Sequence, residues 1–132
     1  MNKRELLSKV MIDLGYSPQV DDDGDLLVRF QMKTVYVVVG DDDDRYVVLI
    51  VPQFHEIEEG EEHIALAVCN KLTRDLKLAK VYVDYTFKTV SANCEFYYTD
   101  EESLKDNIEK SLRILGVVRT MYRNANDELL GK

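Results

Sequence analysis

The chain has 132 residues, of which 45% are hydrophobic and 32% charged, and its formal net charge is −8. This composition predicts one globular domain over residues 1–132, long enough to bury a core without metal or disulfide support. The acidic balance disfavours nucleic acid and anionic membrane surfaces as partners, and no apolar run approaches the ~20 residues of a membrane span. We therefore expect a cytoplasmic protein.

The chain begins with a helical pattern. Asn2 and Glu5 have the spacing of a capping box, and Gly15 lies where a left-handed C-terminal cap belongs. Apolar residues recur at helical spacing between these two ends. This apolar stripe consists of Leu6, Leu7, Val10, Met11 and Leu14.

Three strand patterns follow the turn signal Asp21–Gly24. The inward positions of the first strand are Leu26, Val28, Phe30 and Met32. The second strand, Thr34–Val39, and the third, Tyr46–Val51, are rich in β-branched and aromatic residues and are joined by the polar loop Gly40–Arg45. Pro52 has no N–H for a strand ladder, so we expect it to end the third strand.

The second half of the chain adds two helices and two strands. A middle helix has acidic residues from Glu58 and an apolar stripe ending at Ala79, and strand alternation follows over Val81–Lys88 and Asn93–Tyr98. Thr99–Glu102 has capping-box spacing and starts a long helix whose polar tail, from about residue 124, is expected to fray and be flexible. The stripe of this helix is Leu104, Ile108, Leu112, Leu115, Val118 and Tyr122.

The order α-β-β-β-α-β-β-α predicts an α+β fold in which helices pack on a single antiparallel sheet. Because every strand junction except the one with the middle helix is short, neighbouring strands can form hairpins.

Residue patterns for catalysis, cofactor binding and metal binding are missing. The chain has no nucleophile elbow and no glycine-rich phosphate loop, and the spacing of His55 and His63 does not suit a zinc site. With Gly24 as the sixth position of a calcium loop, Phe30 occupies the twelfth, where a carboxylate is needed, and Asp41–Asp44 has no glycine at the required place. Only weak calcium binding stays open. Cys69 and Cys94 are interpreted as small buried hydrophobic residues. We predict no catalytic, cofactor-binding or metal-binding residue.

The second and third predicted strands are apolar on both faces. Suppose that alternate residues face the helices, namely Val35, Val37, Val39, Val47, Leu49 and Val51. A second set of apolar residues then faces the other way. This set consists of Tyr36, Val38, Tyr46, Val48 and Ile50. On an open sheet such residues form a contiguous patch of the kind that marks interaction sites. Two interpretations stay open: the middle helix or the tail covers the patch, or another polypeptide or a second copy of the chain binds it.

The element order, size and acidity resemble the YbjN family, whose members are often labelled bacterial sensory transduction regulators. The resemblance extends from Lys3 to about Arg123 and is carried by the run Asp23–Phe30, the adjoining valine-rich hairpin and the segment Asn70–Asp75. It implies a fold similar to type III secretion chaperones and, by analogy, capture of an extended peptide along the sheet. It implies no catalytic residues.

We therefore expect a non-enzymatic peptide- or protein-binding module, chaperone-like or regulatory, in the bacterial cytoplasm. Its partner would be another polypeptide or its own copy, bound by the five patch residues. Two alternatives remain. One is a homodimeric structural or regulatory protein without peptide cargo, and the other is a small metal-dependent hydrolase.

Overall fold

The computed structural model describes all 132 residues as three helices and one six-stranded sheet. The helices are α1 (Lys3–Asp13), α2 (Glu62–Asp75) and α3 (Glu101–Leu129). The strands are β1 (Gln19–Val20), β2 (Leu26–Phe30), β3 (Lys33–Val38), β4 (Tyr46–Glu56), β5 (Ala79–Val83) and β6 (Thr89–Tyr97). Their order in the sheet is β1-β2-β3-β4-β6-β5, and all neighbours are antiparallel. The predicted α+β class and single antiparallel sheet are therefore confirmed.

The core lies between the helices and one face of the sheet. Along each central strand every second side chain is buried, as the two-residue period of a strand requires. The long helix α3 crosses β4 and β6, and α2 packs on β5 and α3. All six residues of the predicted α3 stripe are buried. None of the three helices combines the length and apolar character that crossing a membrane requires.

Both caps of α1 lie at the predicted residues, but the Asn2 cap lacks the reciprocal Glu5 bond of a capping box. The side chain of Asn2 accepts a hydrogen bond from the backbone N–H of Glu5 at 2.8 Å. At the other end Gly15 has φ +96°, and the N–H groups of Gly15 and the next residue bond to the carbonyls of Ile12 and Met11. This pair of bonds is a Schellman motif, which requires the left-handed conformation that glycine adopts without steric cost.

Both ends of α3 differ from the prediction. The cap is Asp100 with Ser103, not the Thr99–Glu102 pair. The Asp100 carboxylate accepts a hydrogen bond from the Ser103 N–H at 2.8 Å, and the Ser103 hydroxyl accepts one from the Asp100 N–H at 3.1 Å. At the other end the polar tail does not fray but continues the helix to Leu129. Ala125 is buried, so the last turns are held by packing that their polar composition does not reveal.

The middle helix is shorter than its apolar pattern predicts. It begins at Glu62 and ends at Asp75, and Leu76 already has an extended backbone. Leu78 then adopts φ +68°, and Ala79 starts β5. The predicted apolar stripe therefore continues past the end of the helix into the next strand. The spacing of apolar residues alone does not indicate where the backbone conformation changes.

Pro52 does not end its strand. β4 continues to Glu56, and its pairing with β6 shifts between Val51 and His55, where a bulge inserts extra residues. Gln53 within the bulge has φ +49° and donates its N–H to the Ser91 hydroxyl at 2.9 Å. A proline is tolerated here because pairing between β3 and β4 has already stopped, so no ladder bond requires its N–H.

Two predicted strands are also cut short by turns, and one strand was missed. Met32, expected to point inward, lies in the β2–β3 turn and is 90% exposed. β5 ends at Val83, so Tyr85 and Phe87 lie in an exposed hairpin turn. β1 has only two residues, Gln19–Val20, too few for a sequence pattern to predict.

Candidate functional site

The five patch residues share the sheet face opposite the helices. We call this set, Tyr36, Val38, Tyr46, Val48 and Ile50, the open face. Tyr36 is 36% exposed and the other four are half-buried, whereas their neighbours along both strands are buried in the core. The middle helix packs on β5 and α3, and the tail continues α3, so neither covers the open face.

Strand register brings these side chains into direct contact range. Tyr36 lies opposite Ile50, and Val38 lies opposite Val48, as non-local cross-strand neighbours. Leu27 of β2 lies opposite Tyr36 on its other side, so the apolar surface continues onto a third strand. A continuous apolar strip therefore crosses the middle of the sheet.

A polar cluster borders this strip on β6. The Tyr46 hydroxyl and the Lys80 ammonium donate hydrogen bonds to the same Glu95 oxygen, Lys80 at 2.8 Å, and the Asn93 amide donates to the other oxygen at 2.7 Å. The ring of Tyr46 also packs against Tyr97, with centroids 4.9 Å apart and ring planes tilted by 44°. The cluster therefore fixes the orientation of the aromatic side of the open face.

Charge states in this cluster follow from its hydrogen bonds. Partial burial raises the pKa of Glu95, but hydrogen bonds from Lys80 and Tyr46 outweigh it and hold the pKa below its usual range. The bond to Glu95, with burial as the second cause, raises the pKa of Tyr46 to about 12. At neutral pH the carboxylate is ionised and the phenol is neutral, so the phenol acts as the donor.

The edge of the sheet at β5 is occupied by a side chain of α2. The Thr73 hydroxyl accepts the N–H of Val81 at 2.9 Å and donates to its carbonyl at 3.0 Å. Both outward backbone groups of Val81 are therefore bonded within the chain, which protects this edge from pairing with another strand.

The cysteines and histidines occupy separate places. Cys69 and Cys94 are free and buried, as predicted, and burial raises the pKa of their thiols to about 12 and about 11. His63 is exposed at the start of α2, whereas His55 lies in β4 beyond the bulge. No group of three or more His, Cys, Asp or Glu residues is placed to hold a metal ion.

Sequence reasoning missed a cleft where the bulge of β4 faces α3. It has a volume of about 420 Å³ and is lined by residues 53–56 together with Arg119, Tyr122 and Arg123. The sequence alone could have indicated one wall of this cleft, because Arg119 and Arg123 lie one helical turn apart on the polar side of α3. The bulge that opens the cleft had no such signal, because Pro52 was interpreted as the end of the strand.

Solved structures with this fold include three chains of low sequence identity. YbjN from E. coli has a TM-score of 0.67 and 12% identity over 95% of this chain and 92% of its own. An uncharacterized protein from Methanothermobacter thermautotrophicus has a TM-score of 0.58 and 12% identity over 92% and 97%. The ExsC–ExsE complex gives 0.53 and 15% identity over 83% and 85%. At these identities the similarity shows a shared fold.

Sequence comparison identifies the family. No curated protein matches the chain. A family model described as "T3SS (YopN, CesT) and YbjN peptide-binding chaperone 1" matches residues 3–119, which confirms the predicted resemblance to YbjN and to secretion chaperones. The chain belongs to this family, TY-Chap1.

Proposed function

We propose that this protein is a non-enzymatic, chaperone-like module of the bacterial cytoplasm that binds an extended segment of another polypeptide across the open face. The observation that carries the proposal is the contiguous apolar strip on β3 and β4, which no element of the chain covers. Membership of a peptide-binding chaperone family supports it, and a neighbour of the same fold, ExsC, forms a complex with ExsE.

The chemistry of the open face suits an extended apolar segment. An extended chain presents every second side chain to one surface, and Val38, Val48 and Ile50 offer a central apolar contact for such side chains. Tyr36 and Tyr46 add large rigid rings with a polar tip at the margins. Apolar contact at the centre, with hydrogen-bonding groups around it, is the usual composition of a binding surface.

The test uses Val48, which lies at the centre of the strip. Val48→Asp and Val48→Lys should each weaken binding of fluorescein-labelled synthetic peptides, measured by fluorescence anisotropy, by about tenfold, since about 1.4 kcal/mol of apolar contact is lost. Both substitutions are needed because a negative and a positive side chain should each disrupt an apolar contact. Val117, an exposed valine on α3, provides the matched controls Val117→Asp and Val117→Lys, which should bind normally.

Several results would contradict the proposal. If all four variants bind peptides equally, the open face is not the site. If Val48→Asp unfolds the protein, judged by circular dichroism, the residue belongs to the core. If light scattering shows a wild-type dimer that Val48→Asp converts to monomer, and no peptide binds, the open face serves self-association and not peptide capture.

A further inference from the structure

Beyond the bulge, β4 has a free strand edge. β3 pairs with β4 only as far as Tyr36–Ile50, whereas β6 pairs with β4 as far as Glu56. The Ile57 N–H bonds to the Lys88 carbonyl at 2.8 Å, so Glu56, next to it, is in a non-hydrogen-bonded position. The backbone N–H and C=O of Glu56 therefore point away from β6, toward the side where β3 has ended.

The cleft described above lies along this free edge. Arg119 and Arg123 line it from α3, and neither forms a salt bridge or a side-chain hydrogen bond within the protein. The ring of Tyr122 forms part of the wall against Phe54 and His55, with centroids 5.6 Å and 4.6 Å away. The Tyr122 hydroxyl is fully buried and has no hydrogen-bond partner. The donors that the cleft offers are therefore the two guanidinium groups, which have no partner within the protein.

One end of the slot between β4 and α3 is closed and positive. Extending the β3–β4 register places Lys33, the first residue of β3, level with Gln53, so β3 blocks the slot there. Arg119 borders both this end and a neighbouring cleft that also contains Lys33. Arg119 therefore lies at the closed end, and the Lys33 ammonium, which donates to the Gly116 carbonyl at 3.2 Å, adds positive charge next to it.

The other end of the slot is open and negative. Glu56 lines the slot at that end, and the carboxylates of Glu61, Glu58 and Asp127 also act electrostatically on the adjacent His55. Together with the cations at the closed end, they produce a charge gradient along the slot. A tract of several acidic residues would be repelled at the open end, whereas one carboxylate at the closed end would be attracted.

We propose that this slot binds the carboxyl-terminal end of an extended peptide that runs antiparallel to β4, with its terminal carboxylate at Arg119. An antiparallel segment runs from the Glu56 end toward the Gln53 end, so its last residue reaches the cations. The opposite direction would bring an ammonium group to Arg119. A basic residue a few positions before the carboxyl terminus would complement the carboxylates at the open end. The inference rests on peptide binding as the proposed function but uses a surface distinct from the open face.

The experiment compares two forms of the same peptides. A set of fluorescein-labelled synthetic peptides with a lysine near the carboxyl end is made with free and with amidated carboxyl termini, and binding is measured by fluorescence anisotropy. The free form should bind about tenfold more tightly, the magnitude of one charge-assisted hydrogen bond. The double variant Arg119→Gln, Arg123→Gln should remove this preference. The control double variant Lys110→Gln, Arg113→Gln, on the same helix and with the same change in charge, should retain it.

The outcomes separate the two proposals. Equal affinity for the free and amidated forms, or a preference that survives in the double variant, overturns the inference alone. In Val48→Asp both forms should lose affinity by the same factor, because the open face does not contact the carboxylate. Failure of every peptide to bind the wild-type protein overturns the inference and the proposed function together.

Discussion

Gly116 in the middle of α3 offers a test of how closely this helix approaches the sheet. Replacing a helical glycine with alanine stabilises an exposed helix by about 1 kcal/mol. Here a Cβ at Gly116 would lie 2.7 Å from Cε1 of Phe30 and 3.0 Å from the Gln31 side-chain oxygen. The Gln31 amide is exposed and can move, but the Phe30 ring packs edge-on against Tyr16, with centroids 5.8 Å apart. Overpacking costs about 1–3 kcal/mol. We expect Gly116→Ala to destabilise the protein by about 1 kcal/mol, the overpacking cost less the helical gain.

In a Phe30→Leu background we expect the Gly116→Ala substitution to have the opposite effect on the free energy of unfolding. In Phe30→Leu the ring edge is gone, so the further change Gly116→Ala should stabilise the protein by up to about 1 kcal/mol. Urea unfolding followed by circular dichroism provides the free energy of unfolding for the four proteins of this double-mutant cycle. If Gly116→Ala stabilises the wild-type background, or acts equally in both backgrounds, the close contact with Phe30 does not exist.

Three further predictions concern the sheet, the first helix and a thiol. Val47→Thr should cost about 1–3 kcal/mol in urea unfolding because its hydroxyl would be buried, whereas Val48→Thr should change stability by less than about 0.5 kcal/mol; the reverse order would mean that the strand faces are exchanged. The hydrogen bond from Lys3 lowers the pKa of Asp44. The stability that this bond contributes is therefore fully present above the unfolded-state pKa of about 4, and it is lost as the pH falls from there through the folded-state pKa. Asp44→Asn should therefore destabilise the protein at neutral pH and reduce its acid sensitivity in urea titrations, and an unchanged acid profile would refute this. Burial raises the pKa of Cys69 to about 12, so Cys69 should react with a disulfide reagent only after urea unfolding, and rapid reaction of the native protein would contradict its buried position.

Periodicity accounts for the parts of the fold that sequence predicts. The α3 stripe from Leu104 to Tyr122 recurs at helical spacing and is buried throughout, because one face of a long helix must meet the core. The same reasoning with a two-residue period assigned Val48 to the open face and Val47 to the core. These placements depend only on which residues share a face, and a sequence contains that information directly.

Positions where the backbone leaves its regular path were not predictable in this way. Alternation continues past Val83, but the chain turns there because the Asp84 side chain accepts the Thr86 N–H at 3.0 Å and the Asp84 N–H bonds to the Thr89 carbonyl. The cleft beside Arg119 depends on the β4 bulge, which in turn depends on where β3 stops pairing. Such features are set by contacts between distant segments, so a local pattern of apolar residues does not specify them.

The hydroxyl of Thr73 also limits how copies of this protein could assemble. A filament built by strand pairing needs two usable lateral sides on every copy, so that each copy joins one neighbour on its left and another on its right. With the backbone groups of Val81 already satisfied, one of the two sides is unavailable. Growth by pairing of the two outermost strands, with only the two-residue β1 side left, would then stop at a pair of copies.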